Sequence, residues 1–284
     1  MDMAKFFDTV NHSKLIEVLS RTVKDGRVIS LIHKYLNSGV VVKHKFEKTE
    51  AGVPQGGPLS PLLSNIMLNE LDKELHSRDH KFVRYADDLV ILCKSKRAGQ
   101  RIMNSVIKFI EEELFLKVNR DKTSVVYYRQ IKFLGYTFYK RKGNIRFRIH
   151  PRSIAKLKSK LKDLTDRSKG RGNEKRKRKL SAFIKGWVNY YKYADILGLM
   201  KRIDEWYRRR LRMIIRKQWK KVKTKLRNLT KPGINKYKAW EYANTRKSYW
   251  RTSKSPILTK SVTNERLKQA GYIFFTDYYA QVRV

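Results

Sequence analysis

Phe82-Val83-Arg84-Tyr85-Ala86-Asp87-Asp88-Leu89-Val90-Ile91-Leu92-Cys93 is the stretch that decides the fold. Two apolar runs, 82–85 and 89–93, flank Ala86-Asp87-Asp88 and read as a hairpin that carries two carboxylates at its turn. Aspartate favours turns for backbone reasons, so a lone Asp-Asp pair is first of all a turn signal. Here the near-continuous apolar flanks imply strands buried on both faces. A further aspartate, Asp2, stands in another apolar stretch, 1–7, which reads as a strand ending in Phe6-Phe7. Three carboxylates converging at strand ends repel one another unless divalent cations sit among them. Hard cations take oxygen ligands, and two of them about 4 Å apart stabilise the attacking and leaving oxygens of phosphoryl transfer.

The neighbourhood of this hairpin reads as mixed α/β. A helix from about Ser13 carries Leu15, Ile16, Leu19 and Val23, and a second carries Leu31, Ile32, Tyr35 and Leu36 before Gly39. Val40-Val41-Val42 opens a β-branched strand. Ser60-Pro61 reads as an N-cap and first-turn pair for a helix bearing Leu63, Met67, Leu71 and Leu75. Another helix spans about 98–114, and short strands follow at 125–128, 132–139 and 145–149. Beyond His150-Pro151 the pattern turns helical. Ile154, Leu157, Leu161 and Leu164 recur at helical spacing, and a single long helix is expected to carry a stripe from Leu211 through Trp219 to Leu229.

Charge divides the chain the same way. Of 284 residues, 67 are Lys or Arg and 25 are Asp or Glu, a net of +42. Residues 1–150 hold 28 basic and 16 acidic side chains, whereas 151–284 hold 39 and 9. The acids concentrate where chemistry is expected and the basic excess where binding is expected. Such a charge calls for a polyanionic partner, nucleic acid ahead of an anionic membrane surface. The run 167–179, with eight basic residues, reads as too charged for core. One cysteine, Cys93, excludes a disulfide framework and a multi-cysteine zinc site, so a reducing compartment is expected. No stretch approaches the ~20 apolar residues of a membrane span, and no signal peptide is evident.

Five segments in order carry a family resemblance. Met1-Asp2-Met3-Ala4-Lys5-Phe6-Phe7-Asp8-Thr9-Val10-Asn11-His12 resembles the first catalytic-aspartate motif of bacterial reverse transcriptases. Val53-Pro54-Gln55-Gly56-Gly57-Pro58-Leu59-Ser60-Pro61 resembles the glycine-rich motif that follows it, and Arg84-Tyr85-Ala86-Asp87-Asp88 the paired-aspartate hairpin. Asn119-Arg120-Asp121-Lys122-Thr123 and Lys132-Phe133-Leu134-Gly135-Tyr136 resemble the next two. The chain is thus similar to group II intron reverse transcriptase/maturases. The fold implied is α+β: a palm of antiparallel sheet and packed helices over 1–150, an all-α thumb/maturase region over 151–230, and its C-terminal part over 231–284.

The resemblance makes Asp2 and Asp87 the shared ligands of two Mg²⁺ ions, with Asp88 assisting. It makes Phe7 the aromatic gate against a 2′-hydroxyl, which disfavours an RNA-templated RNA polymerase. Gln55 and Gly56 would lie at template and incoming nucleotide, and Phe133, Leu134 and Gly135 at the primer. Lys122 matches a residue that protonates departing pyrophosphate; on its own it also reads as a phosphate contact or a surface lysine. Arg171, Lys175, Arg176, Lys177, Arg178, Arg208, Arg209 and Arg212 are the candidate RNA-binding side chains. The partners implied are group II intron RNA, an RNA template with DNA primer, and deoxynucleoside triphosphates, in a bacterial cytoplasm and away from membranes. Neither the fingers segment that precedes Asp2 in the family nor an endonuclease domain is expected in this sequence. The other reading is a noncatalytic RNA-binding maturase with the palm as scaffold.

Overall fold

Leu63, Met67, Leu71 and Leu75 repeat every four residues, and each is at most 1% exposed in the computed structural model of the chain. That model describes residues 1–42, 45–47, 51–54, 56–170 and 172–283. Gln55 and Arg171 lie outside the described residues. The chain divides into two units, Met1–Tyr127 and Tyr128–Val284.

In the first unit the elements run α1 (Phe6–Thr9), α2 (His12–Thr22), α3 (Gly26–Leu36), β1 (Val40–Val42), β2 (Lys45–Glu47), α4 (Ser60–Ser77), β3 (Lys81–Tyr85), β4 (Asp88–Leu92) and α5 (Lys96–Glu112). The buried stripe of α4 meets Leu15 and Leu19 of α2 and Val106 and Ile110 of α5 in one apolar cluster. The hairpin forms as the sequence implies, with β3 and β4 antiparallel from Tyr85↔Asp88 to Lys81↔Leu92.

Several local expectations need correction. Residues 1–7 are not a strand: Met3 makes an isolated bridge to Val118, and the chain turns into α1 after Lys5, whose φ is 48°. Ser60 is not the cap of α4; Leu59 holds that position, and the Ser60 hydroxyl donates to the Pro54 carbonyl instead. The hairpin strands are not buried on both faces. Leu89 packs inward, but Val83, Tyr85 and Leu92 are 55%, 63% and 59% exposed, because only one face meets the core. Residues 125–127 form no strand, and a 3₁₀ turn follows at Tyr128–Gln130.

The second unit holds β5 (Tyr136–Arg141), β6 (Asn144–Ile149), α6 (Pro151–Leu164), α7 (Asn173–Tyr191), α8 (Leu197–Gln218), α9 (Val222–Thr230), α10 (Lys236–Asn244), α11 (Tyr249–Thr252), α12 (Pro256–Ser261), α13 (Asn264–Gln269) and α14 (Phe275–Val282). The expected boundary at His150-Pro151 begins a helix but falls inside this unit. Hairpin β5–β6 is fastened to the helices: Asp195 accepts from the Tyr139 hydroxyl at 2.8 Å and from Arg146 at 2.9 Å, and the Asp195 amide donates to Phe147. Nor does the core divide at 230/231, since one cluster runs from Ile149 to Tyr279. The expected long helix is two, α8 and α9, with a break at Trp219 that no glycine or proline announces. Arg216, Lys217, Lys220, Lys221 and Lys223 stand around the break, and like charges three and four apart disfavour continuous helix. Among the described residues no helix is long and apolar enough to cross a membrane.

Asp204 on α8 is fully buried and accepts from the Phe275 amide at 2.9 Å, the Thr276 amide at 2.8 Å and the Thr276 hydroxyl at 2.6 Å. It thereby caps α14 from a helix some seventy residues earlier in sequence, where Phe274 supplies no side-chain cap. Burial pushes the Asp204 carboxyl pKa up despite these bonds. Asp204→Ala should cost about 3 kcal/mol, since it strands buried amides at a helix start. Asp204→Asn should cost less, because one carbonyl acceptor remains; urea unfolding midpoints of the three proteins check both.

Candidate active site

Four residues at the start of the chain are held on two sides. Met1 and Leu89 exchange backbone hydrogen bonds, at 2.6 Å from the Met1 amine and 3.1 Å from the Leu89 amide. On the other side Asn119 donates to the Asp2 carbonyl at 2.9 Å and Ala4 donates to the Lys117 carbonyl at 2.8 Å. The Asp2 amide donates to the Thr123 hydroxyl at 3.3 Å. Asp2 is therefore fixed beside the first residues of β4, which carry Asp88, and beside the turn that carries Lys122. Sequence reading brought these segments together for their chemistry; the backbone bonds are what bring them together physically.

Lys122 Nζ lies 3.0 Å from Asp2 Oδ2, with the lysine side chain 69% and the aspartate side chain 19% exposed. That oxygen is buried and makes no aligned hydrogen bond, so the contact is an ion pair. The Asp2 carboxylate holds the Lys122 pKa above its ordinary value, with smaller contributions from Asp87 and Asp88. Asp88 and Asp2 likewise favour the charged form of the Met1 amine, against a larger opposing effect of burial. All three carboxylates thus act on one small region. Among the described residues, however, no three His, Cys, Asp or Glu side chains stand close enough together to hold a metal ion. The positive charge beside Asp2 is the Lys122 ammonium.

The hairpin turn is strained and braced. Ala86 has φ 51°, a left-handed value usually left to glycine at the first position of a two-residue hairpin loop. Arg84 holds it there: Nη1 donates to the Ala86 carbonyl at 3.1 Å and to Asn65 Oδ1 at 3.2 Å, while Nε and Nη2 grip both carboxylate oxygens of Asp72. The Asp87-Asp88 turn is thus tied to α4 by a nearly buried guanidinium, a positioning role that no spacing rule would have shown.

Phe7 is partly exposed at the edge of the core, its ring edge-on to the buried Phe6 at 5.5 Å. Its carbonyl accepts from the Val53 amide at 2.6 Å, and Gly52 donates to the Val10 carbonyl at 2.8 Å. The glycine-rich segment is therefore laid directly on the backbone of α1. Gly52, at φ 93°, has the Phe7 carbonyl oxygen 2.6 Å from where a Cβ would stand. Gly56, at φ 86°, has open space around it and needs glycine for its backbone angle alone.

In the second unit Phe133 and Tyr136 exchange hydrogen bonds of 3.1 and 2.9 Å across Leu134 (φ 50°) and Gly135 (φ 79°). This two-residue turn is clamped by helix residues. The Tyr190 hydroxyl donates to the Leu134 carbonyl at 2.9 Å, and Ser153 and the His150 amide donate to the Gly135 carbonyl. Tyr136 stacks on Tyr190, and burial pushes its hydroxyl pKa up to about 12.

Residues 1–138 match the family described as reverse transcriptase (RNA-dependent DNA polymerase), and residues 154–233 match the group II intron, maturase-specific domain. Both parts of the chain thus match domains found in group II intron reverse transcriptase/maturases. It is 31% identical to protein YkfC of Escherichia coli over 177 residues, 50% of this chain and 46% of that protein. It is 29% identical to the group II intron-encoded protein LtrA of Lactococcus lactis over 211 residues, 51% of this chain and 35% of that protein. The chain thus spans less than half the length of these relatives. A solved chain of a partial Cas6-RT-Cas1–Cas2 complex is 32% identical over 38% of this chain and 21% of its own, with a TM-score of 0.24. In family terms the fold is a reverse-transcriptase palm followed by a helical region.

Reverse transcriptases work with divalent metal ions, and one palm side chain, Asp2, has the chemistry to receive such a guest. A buried carboxylate oxygen of Asp2 lacks a hydrogen-bond donor, and a cationic side chain 69% exposed, free to withdraw, answers its charge. The basic side chains of the maturase region fare unevenly. Lys175 and Arg178 are exposed on α7, and Lys177 pairs with Glu174 at 2.6 Å. Arg176 is 4% and Arg212 8% exposed, so neither is available to RNA. Arg212 donates to the Val262 carbonyl and Asn264, Arg209 donates to Ser253 and the Trp250 carbonyl, and Arg208 lies over Phe274. Helical spacing put these arginines off the apolar stripe; the C-terminal helices cover that second face. Exposed cations that the expectation missed include Arg152, Lys156 and Lys160, four apart along one face of α6.

Gly52→Ala should cost about 3 kcal/mol, combining a left-handed backbone with a carbonyl clash. Gly56→Ala should cost only about 1 kcal/mol, from the backbone angle alone. Thermal unfolding of the two variants tests the difference.

Proposed function

We propose that the chain serves as an RNA-directed DNA polymerase and as an RNA-binding maturase that assists intron splicing and mobility. The observation that carries the reading is the backbone pairing of residues 1–4 with both Leu89 and 117–119, which gathers Asp2, Asp87, Asp88 and Lys122. Asp2 and Asp87, with Asp88 assisting, would hold the metal. Divalent cations held there, which we read as two Mg²⁺ ions, would supply positive charge for the attacking 3′-hydroxyl oxygen and the leaving pyrophosphate oxygen. Once apart from Asp2, Lys122 loses the contact that chiefly retains its proton, which suits it to protonate pyrophosphate. Phe7 would meet the sugar of the incoming deoxynucleotide, Gln55 and Gly56 the base pair being formed, and the Phe133-Leu134-Gly135 turn the primer. Lys175 and Arg178 with the cationic face of α6 would bind intron RNA through its phosphates.

Primer extension on an RNA template tests the polymerase reading. Asp87→Ala should abolish extension and leave RNA affinity unchanged or raised, since a negative charge is lost. Phe7→Ala should admit ribonucleotides far better while deoxynucleotide use falls only modestly; equal loss of both would reduce Phe7 to packing. RNA binding without any Asp87-dependent extension would favour the noncatalytic maturase.

Salt tests the electrostatic part separately. If six to ten phosphates are contacted, affinity should fall by roughly 10³–10⁵ between 50 and 200 mM salt, as read by filter binding. A flat response would remove the phosphate contacts from the reading.

A further inference from the structure

Within the helical unit lies a cavity of about 500 Å³, between the end of α6, α8 and residues 248–250. Its size is that of a small-molecule site, and its chemistry is mixed in a particular way. Met213 and Trp250 give it an apolar surface, Asp163 and Asp166 line it with carboxylates, and Lys162 and Arg167 stand at it with exposed cations. The indole is held in place, since the Arg209 guanidinium lies 3.7 Å from its ring centre and donates to the Trp250 carbonyl. Arg210 ties the wall together from α8 by donating to the Thr165 hydroxyl at 2.5 Å and to the carbonyls of Lys162 and Thr165. Residues 151–284 carry only nine acids against 39 basic side chains, so two acids on one cavity stand out. Asp163 pairs with Lys169, whereas among the described residues Asp166 accepts only from the Ser168 amide, at 2.8 Å, and so keeps acceptor capacity toward the cavity.

An aromatic face, carboxylate acceptors and flanking cations are together the complement of one unpaired nucleotide: a base that stacks, an edge of N–H donors and a phosphate. Guanine is the natural base whose Watson–Crick edge presents two adjacent donors, N1–H and the exocyclic amine. We propose that this cavity captures a single splayed-out guanine nucleotide of bound RNA, stacked on Trp250, read at its edge by the two oxygens of the Asp166 carboxylate, and held at its phosphate by Lys162 and Arg167. The inference rests on the RNA-binding reading of the helical unit and adds base selection to it.

The test uses the full chain and single-stranded RNA 12-mers of uridine with one central guanosine, inosine, adenosine or uridine, read by fluorescence anisotropy. The guanosine oligomer should bind about tenfold tighter than the uridine and inosine ones, inosine lacking the exocyclic amine. Trp250→Ala should weaken the guanosine complex roughly ten- to hundredfold, toward the uridine level, and Trp250→Phe should restore most of it. Asp166→Asn should erase the guanosine–inosine difference, with uridine binding unchanged or raised because a negative charge is lost. Guanosine preference intact in folded Trp250→Ala and Asp166→Asn proteins would overturn the proposal, as would equal binding of all four oligomers by the unaltered chain. Competition by free GMP at the concentration of the oligomer would assign the cavity to a free nucleotide and overturn its assignment to RNA. Absence of binding to every oligomer would instead sink the RNA-binding reading beneath it.

Discussion

Backbone pairing of the first four residues is the constraint on which the palm depends. They hydrogen-bond to β4 on one side and to 117–119 on the other, and the Asp2 amide also donates to Thr123, so that main-chain bonds fix Asp2 against its like-charged neighbours. Carboxylates repel; peptide groups do not. Putting the charged side chains on segments whose main chains pair lets hydrogen-bond geometry set their separation, and leaves the repulsion to be answered by a cation. In the chain as folded that cation is Lys122.

The helical half uses its charge in two ways that composition cannot separate. Arg209, Arg210, Arg212 and Arg216 all donate to backbone carbonyls or hydroxyls of other segments, and Arg209 and Arg210 also lie over tryptophan rings. Burial lowers the pKa values of Arg210, Arg212 and Arg216, yet a guanidinium remains charged well above neutrality. Its planar fork suits it to tie off carbonyls at helix ends, where a lysine would make fewer directed bonds. Part of the basic excess is therefore internal fastening, and the remainder, as at Arg152, Lys156 and Lys160, is surface.

Elements with strong periodicity were legible in the sequence, and so was the hairpin around Asp87-Asp88. The stripe on α4 and the apolar runs of β3 and β4 need only their own residues to declare themselves. What was hidden depends on partners far along the chain. Residues 1–4 read as a strand but gain their bonds singly, and the break between α8 and α9 follows from charge and packing. Arg84, Arg176 and Arg212 look like surface charge until Asp72, Asn173 and the Val262 carbonyl are known to lie beside them. Hairpin β5–β6 likewise alternates like palm strands, and it takes contacts such as those of Asp195 to reveal that it is bound to the helices.

The clamp on the Leu134-Gly135 turn has a mechanical consequence. Tyr190, at the C-terminal end of α7, donates to the turn itself, while Lys175 and Arg178 stand near the other end of the same helix. A helix of that length spans about 28 Å and bends little. Load applied to the basic end is thus delivered to the turn as displacement rather than absorbed between them, so that the two ends of the helix act as a single rigid strut.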